Sequence, residues 1–365
     1  MELLLIVKKQ TQKRLASIVL MIMVTGILTA CNTSTATTSN GSNKEEVAEA
    51  DGFAMGTVIL QKVYGANGQA TIDETMERIK SLEALLTFNA PEGDIYQLND
   101  NAGKKNVELD PVTLKIINKA QEVAELSNGA FDITIGPIVK SWGIGTEQER
   151  IPPKEELQKL LPLVNYRDLV VGENSAGLKK AGQMVDLGGI AKGYAGDEAL
   201  QIYKKNGIKS AFINLGGNVV TLGNKPDGSP WTVGIRNPRP QDAASGQQIV
   251  GIVTVADKAV TTAGDDQRFF EKDGVRYHHI INPHTGYPAQ SDLMSVTLIT
   301  DSSFNADAFD TAVFVLGLEK GKELIQKLGG IEAVFITTDK KIYVTDGLKG
   351  NFKLHDESNE YQYNE

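Results

Sequence analysis

The 365-residue chain has one cysteine, two tryptophans and four histidines, and its acidic residues outnumber its basic ones by 46 to 37. A lone cysteine excludes an intramolecular disulfide, so an apolar core must hold the fold. It also removes thiolates from any zinc site, which would then need three or four convergent imidazoles or carboxylates. The net charge of −9 argues against a broad nucleic-acid-binding face, because neutralising phosphates takes a basic surface. What remains is a globular composition, 41% hydrophobic and 23% charged, in a chain long enough for one large domain or two.

The first fifty residues differ from the rest. Lys8, Lys9, Lys13 and Arg14 precede an apolar run from Leu15 to Leu28, which ends in Leu28-Thr29-Ala30-Cys31. A basic n-region, a short apolar stretch and small residues before a cut describe a secretory signal, too short for a stable membrane span. The single cysteine stands directly after that cut and resembles the lipidated cysteine of bacterial lipoproteins. Residues 1–30 are therefore expected to be a signal peptide, Cys31 the lipid anchor to the membrane, and residues 31–50, rich in Ser, Thr, Asn, Ala and Glu, a flexible tether. The body is expected to lie on the extracytoplasmic side.

Beyond the tether, strand-like and helix-like stretches mix without strict alternation, which indicates an α+β fold with a mixed or antiparallel sheet and packed helices. Thr71-Ile72-Asp73-Glu74 has the form of a capping box, followed by Ile72, Met76, Ile79, Leu82, Leu85 and Leu86 at helical spacing. Asp110-Pro111 should open a second helix that stops near Asn128-Gly129, and a third should run from Ile190 to Asn206. Phe304–Leu316 and Lys320–Leu328 read as helices, and seven β-branched runs between Thr57 and Thr345 read as strands. Residues 51–350 form the expected domain and 351–365 a polar C-terminal tail.

Three stretches have the residue types that chemistry needs. Val185–Ala195 joins a strand to a helix through Gly188-Gly189, where missing Cβ atoms and exposed amides favour an anionic ligand. It is neither a P-loop nor a G-x-G-x-x-G fingerprint, and a plain helix-start turn would also explain the glycines. Asp186 and Lys192 flank it and could engage a ligand's donors and phosphates. Asn214-Leu215-Gly216-Gly217-Asn218 reads as a tight turn, and Gly129-Ala130-Phe131-Asp132 sets an aromatic ring and a carboxylate just past a helix end. In Asn305–Ala312, Asp307 and Thr311 stand at i and i+4, so their oxygens share a helix face and suit Mg²⁺. The alternative is a cap by Asp307 with Asp310 solvated.

Three of the four histidines fall in Arg276–Ala289. Strand character through Ile281 sends His278 and His279 to opposite faces, so the two cannot ligate one ion without a kink. Asn282-Pro283-His284-Thr285-Gly286 is turn chemistry. One histidine acting as a base is the better reading.

In this order the motifs Met55-Gly56-Thr57, Gly129–Asp132 with Gly136-Pro137, Asp186–Ala195, Asn214–Asn218, Arg268-Phe269-Phe270, His278–Ala289 and Ala306-Asp307 with Thr311 resemble the ApbE-type family of FAD:protein FMN transferases. The resemblance spans Phe53 to about Gly347 and implies a T-fold-like single large domain. It further implies transfer of the FMN half of FAD to a Thr or Ser hydroxyl of an extracytoplasmic acceptor protein, with AMP released and Mg²⁺ required. By similarity, Asp307, Thr311 and the carbonyl of Gly189 would hold Mg²⁺, and Met55, Ala130, Phe131, Asp132, Asp186, Lys192 and Ile281 would contact FAD. Phe88 takes the place of an aromatic that stacks on a ring, and His279 becomes the base. The chain departs from the family at Asn282, where H-I-I-D-P is usual, and at Ala263-Gly264-Asp265-Asp266, where S-G-D-Y is common. Two other functions fit the same residues: a Mg²⁺-dependent FAD pyrophosphatase, in which water replaces the protein hydroxyl, and a flavin-binding lipoprotein without turnover.

Overall fold

The computed structural model describes residues 46–240, 249–356 and 359–364; the expected signal peptide, Cys31 and most of the expected tether lie outside them. Glu45–Glu365 forms one compact unit. Its centre is a nine-stranded sheet whose spatial order is the chain order: β1 (Val47–Ala54), β2 (Thr57–Tyr64), β3 (Ser210–Leu215), β4 (Asn218–Leu222), β5 (Ala259–Gly264), β6 (Leu293–Thr300), β7 (Glu332–Thr337), β8 (Lys341–Val344) and β9 (Gln362–Asn364). Every neighbouring pair is antiparallel except β8 and β9, which are parallel. This is the mixed, mainly antiparallel sheet that the sequence indicates.

β6 is buried at every position, which requires cover on both faces. Val296 and Leu298 join the main core beneath the helices, whereas Met294 and Ile299 join a second core under a three-stranded sheet of Trp231–Arg236, Ile249–Val255 and Phe352–Leu354. A bulge between Leu293 and Ser295 makes the switch of face.

Helix α1 (Gly68–Leu86) buries Ile72, Ile79, Leu82 and Leu86 as their spacing requires. Its start differs from expectation: Asn67 is the cap residue, without a side-chain bond, and Thr71 lies buried inside the helix. A Cβ on Gly68 would stand 2.9 Å from Ala48 Cβ, so glycine lets the chain close onto β1 and begin the helix before the capping-box residues. Helix α2 (Pro111–Leu126) starts as read, with the Asp110 carboxylate accepting from Val112 N. It ends through the left-handed pair Asn128 and Gly129, at φ 52° and 78°.

Two expected boundaries are corrected. Val47–Ala50, assigned to the tether, belongs to β1, and the assigned tail contributes the strand Phe352–Leu354 and β9. An edge strand buries one side only, so Glu49 is no obstacle to pairing there. In the tail, Tyr361 is buried and its hydroxyl donates to Asn237 Oδ1 at 2.6 Å.

Helices α3 (Ala191–Lys205), α4 (Ser303–Leu316) and α5 (Leu318–Leu328) complete the helical layer. α3 and α4 meet at glycine: a Cβ on Gly193 would lie 2.3 Å from Ser303 O and 2.5 Å from Asp307 Cβ. The Asp197 carboxylate on α3 accepts from Ser303 N and the Ser302 hydroxyl, both at 2.7 Å, which ties down the first turn of α4. Because that contact is with backbone, Gly193→Ala is expected to cost about 1–3 kcal/mol through forced separation of the helices, read as a lower urea midpoint with an unchanged m-value.

Candidate active site

The loop before α3 is shaped by its own carboxylate. Asp186 Oδ1 accepts from Gly188 N at 2.8 Å, an Asx turn that brings Gly189 under the helix. A Cβ on Gly189 would stand 3.1 Å from Phe131 Cε2 and 3.5 Å from Thr311 Oγ1. Phe131, Gly189 and Thr311 are thus neighbours, although they are far apart in the chain.

Asp307 is buried and well supplied with donors. Its Oδ2 accepts from Gly193 N at 2.8 Å, and its Oδ1 accepts from Asn218 Nδ2 at 2.7 Å and faces Lys192 Nζ at 3.5 Å. Lys192 Nζ also reaches Gly188 O at 3.3 Å. Asp310 is buried too, and burial together with the nearby Asp307 charge holds its carboxyl well above the usual carboxylate range. The expected N-cap role of Asp307 is not seen: Ser302 caps α4 by accepting from Asn305 N, and Asp310 is not solvated. Thr311 Oγ1 donates to Asp310 Oδ1 at 3.3 Å, and the buried hydroxyl of Thr261 also stands beside Asp310. Two buried carboxylates, two hydroxyls and the Gly189 turn therefore gather with one lysine as their cation. An all-oxygen set short of positive charge fits Mg²⁺.

His279 and Arg268 form a second wall near this cluster, where the Lys192 charge reaches the His279 ring and the Arg268 charge reaches Asp186. The strands Phe269–Lys272 and Val275–His278 pair as a hairpin, and Arg268 and His279 are the residues just outside its open end. Arg268 O accepts from His279 N at 3.0 Å and lies 3.3 Å from His279 Nδ1. The network assigns the proton to Nδ1, which leaves Nε2 as a free acceptor. Burial first, then the Arg268 and His278 charges, push the imidazole down to about 3, so it is neutral at physiological pH. Arg268 and Lys192 also act on Asp186, whose carboxyl is nonetheless raised by burial. Asp186 and His279 each keep solvent-accessible surface despite dense surroundings, as expected of side chains lining a concavity.

The other residues singled out from sequence have different surroundings. Met55 sits at φ 52° in the two-residue turn between β1 and β2, and its N donates to Glu83 Oε1 at 2.8 Å. Thr57, after that turn, presses on Gly216 of the β3–β4 turn, whose neighbour Asn218 holds Asp307. Phe88 is half-buried against the main core, and Ala130 is buried beside Phe131. Asp132 is buried and holds the loop: its Oδ1 accepts from Thr134 N and Oγ1 at 2.8 and 2.7 Å, and its Oδ2 from Tyr166 N at 2.8 Å. The Ile281 side chain packs with Ile138, Trp142 and Leu157 in a satellite core. His278 is buried with Nε2 at 3.1 Å from Ala289 O, whereas His284 is exposed beside Gly129. Asn218, Asp310, Thr261 and Arg268 are site residues that the sequence reading did not assign.

A model of the ApbE family matches residues 55–335. The chain belongs to the ApbE family. Among curated members, an FAD:protein FMN transferase of Treponema pallidum (strain Nichols) is 34% identical over 323 residues, which cover 83% of this chain and 88% of the relative. One from Klebsiella pneumoniae (strain 342) is 34% identical over 300 residues, covering 82% and 92%. A solved ApbE protein from Thermotoga maritima matches with a TM-score of 0.76 at 31% identity, over 84% of this chain and 99% of that one. The apo form of the Pseudomonas stutzeri flavinyl transferase ApbE also matches with a TM-score of 0.76, at 27% identity, over 87% and 100%. The α+β fold is thus that of the ApbE family.

Asp132 gives a test that separates holding the loop from holding a ligand. Asp132→Ala leaves three buried donors, on Thr134 and Tyr166, without an acceptor, and is expected to lower unfolding stability by on the order of 3 kcal/mol. Asp132→Asn, which retains one acceptor oxygen, should lose less; denaturation of the two variants side by side checks the order.

Proposed function

We propose that the chain transfers the FMN half of FAD to a threonine or serine hydroxyl of an acceptor protein and releases AMP. The observation that supports this reading most is the nearness of two groups: the oxygens of Asp307, Thr311 and the Gly189 turn with Lys192, and a neutral His279 close enough to feel the Lys192 charge. In the displacement, the acceptor oxygen forms a bond to the FMN phosphorus while the bond from that phosphorus to the bridging oxygen breaks. The electron pair of the broken bond leaves on AMP. The hydroxyl proton passes to His279 Nε2, the nitrogen left open by the Nδ1 contact with Arg268 O.

Asp307, Thr311 and Gly189 would hold Mg²⁺, with Asp310 beside them. Bound there, the ion would neutralise pyrophosphate charge, as metal ions do in phosphoryl transfer generally. Lys192 adds a fixed positive charge, and the Gly188-Gly189 turn lets the ligand approach the start of α3. Asp186 and Met55 would contact the flavin nucleotide, while Phe131 supplies an apolar surface beside Gly189.

The place of action is also proposed: Cys31 is lipidated, and the body works on the extracytoplasmic face on an acceptor protein there. Among the described residues no helix is long and apolar enough to cross a membrane.

Incubation of the chain with FAD, Mg²⁺ and a threonine-containing acceptor is expected to add the mass of FMN to the acceptor and to release one AMP per adduct. Free FMN without adduct would favour the hydrolase, and FAD binding without either product would favour a carrier. Asp307→Ala should remove the Mg²⁺ response. His279→Gln should lower kcat by about 10²–10⁴ with FAD binding retained, measured by AMP release against flavin fluorescence.

A further inference from the structure

Arg268 shares the hairpin's open end with His279, yet the displacement above gives it no step. Its carbonyl takes both the main-chain N and the ring Nδ1 of His279. Its guanidinium makes no hydrogen bond or ion pair with any described residue, whereas Arg78, Arg150, Arg239 and Arg276 are each paired with a carboxylate. The stem rests on a glycine turn: a Cβ on Gly145 would be 3.7 Å from Arg268 Cδ. The charged end acts on Asp186 on one side and His279 on the other.

We propose that Arg268 is the positioning residue for His279: its carbonyl selects the tautomer with a free Nε2, and its unpaired guanidinium opposes protonation of that ring when an anionic substrate enters. The need arises from the substrate's own charge. A pyrophosphate beside a neutral imidazole favours the imidazolium, and an imidazolium cannot accept the hydroxyl proton. A fixed cation on the ring's own side offsets that pull. Lys192 faces the ring from α3, but it is shared with Asp307. His278, adjacent in the chain, also opposes protonation of His279 when charged, and burial lowers its own imidazole. The role assigned to the proton rests on the FMN-transfer reading; the tautomer and ionisation of the ring do not.

Nitrogen and carbon NMR of the four histidines in the substrate-free protein tests this without any turnover. The wild-type protein should show His279 with its proton on Nδ1 and neutral down to about pH 4. Sign and size then follow from charge: Arg268→Met removes a cation, so the His279 midpoint should rise by about one pH unit or more, while Arg268→Lys should keep it near the wild-type value. With FAD bound the Arg268→Met midpoint should rise further, and the acid limb of kcat should move up with it, leaving KM for FAD less affected. A proton on Nε2 in the wild type overturns the proposal even if the variants do not fold. A His279 titration in Arg268→Met that superimposes on the wild type also overturns it, and lost activity with that unmoved titration would make Arg268 a substrate contact instead. Failure of FMN transfer with these NMR results intact would sink the proposed function and leave the positioning role standing.

Discussion

The clasp of Asp307 on the start of α3 is the constraint on which the site depends. A carboxylate this buried would be expelled or neutralised without donors. It is kept by Gly193 N, Asn218 Nδ2 and Lys192, from two helical residues and one strand. The amide of Gly193 belongs to the positive end of α3, and only a glycine permits α4 to come close enough to use it. The same contact therefore fixes the crossing of α3 and α4, the position of β4 against both, and the direction of the oxygens. Asp310, one turn later, lacks comparable donors, and its carboxyl is driven towards the protonated form. The asymmetry between the two carboxyls comes from what each meets, since both are deep in the same helix.

How much of the fold was legible follows from where each decision is made. Asp110-Pro111 decides its helix start locally, by one side-chain bond and one fixed φ, and the structure agrees with the sequence there. At α1 the decision is tertiary: Gly68 against Ala48 outweighs the Thr71–Glu74 pattern. Val47–Ala50 joins the tether's polar run without a turn or breaker between them, so its small apolar residues give no local sign of the strand. Ala259–Gly264 was missed as a strand for another reason, since it is composed of small and Thr residues without an alternating pattern, yet nearly all its positions are buried between β4 and β6.

The site divides the same way. Helical spacing alone put Asp307 and Thr311 on one face, and strand character separated His278 from His279. Asn218 stood in plain view as the end of a turn, but its bond to Asp307 spans 89 positions and leaves no local trace. Asp132 shows a second kind of hidden partner. A carboxylate near a helix end reads as open to a ligand, and only the fold shows that it also accepts from Thr134 and Tyr166.

The two walls also belong to different cores. α4 and the Gly188-Gly189 turn stand on the main core, while the hairpin that ends in Arg268 and His279 stands on the satellite core, where Phe270 stacks on Tyr277 at 5.2 Å and Trp142 meets Tyr277 at 5.5 Å. Trp142 Nε1 donates to Gly286 O at 2.8 Å, so the turn after Asn282 is held by the same ring that braces the hairpin. A side chain carried on such a framework keeps its geometry through packed rings, as precise placement requires. The two supports also touch: the ring of His278, next to His279, meets Phe314 of α4 edge-on at 5.6 Å. The placement of His279 relative to the oxygens of Asp307 and Thr311 is thereby set by packing and is a property of the scaffold, the condition under which proximity and orientation assist a displacement.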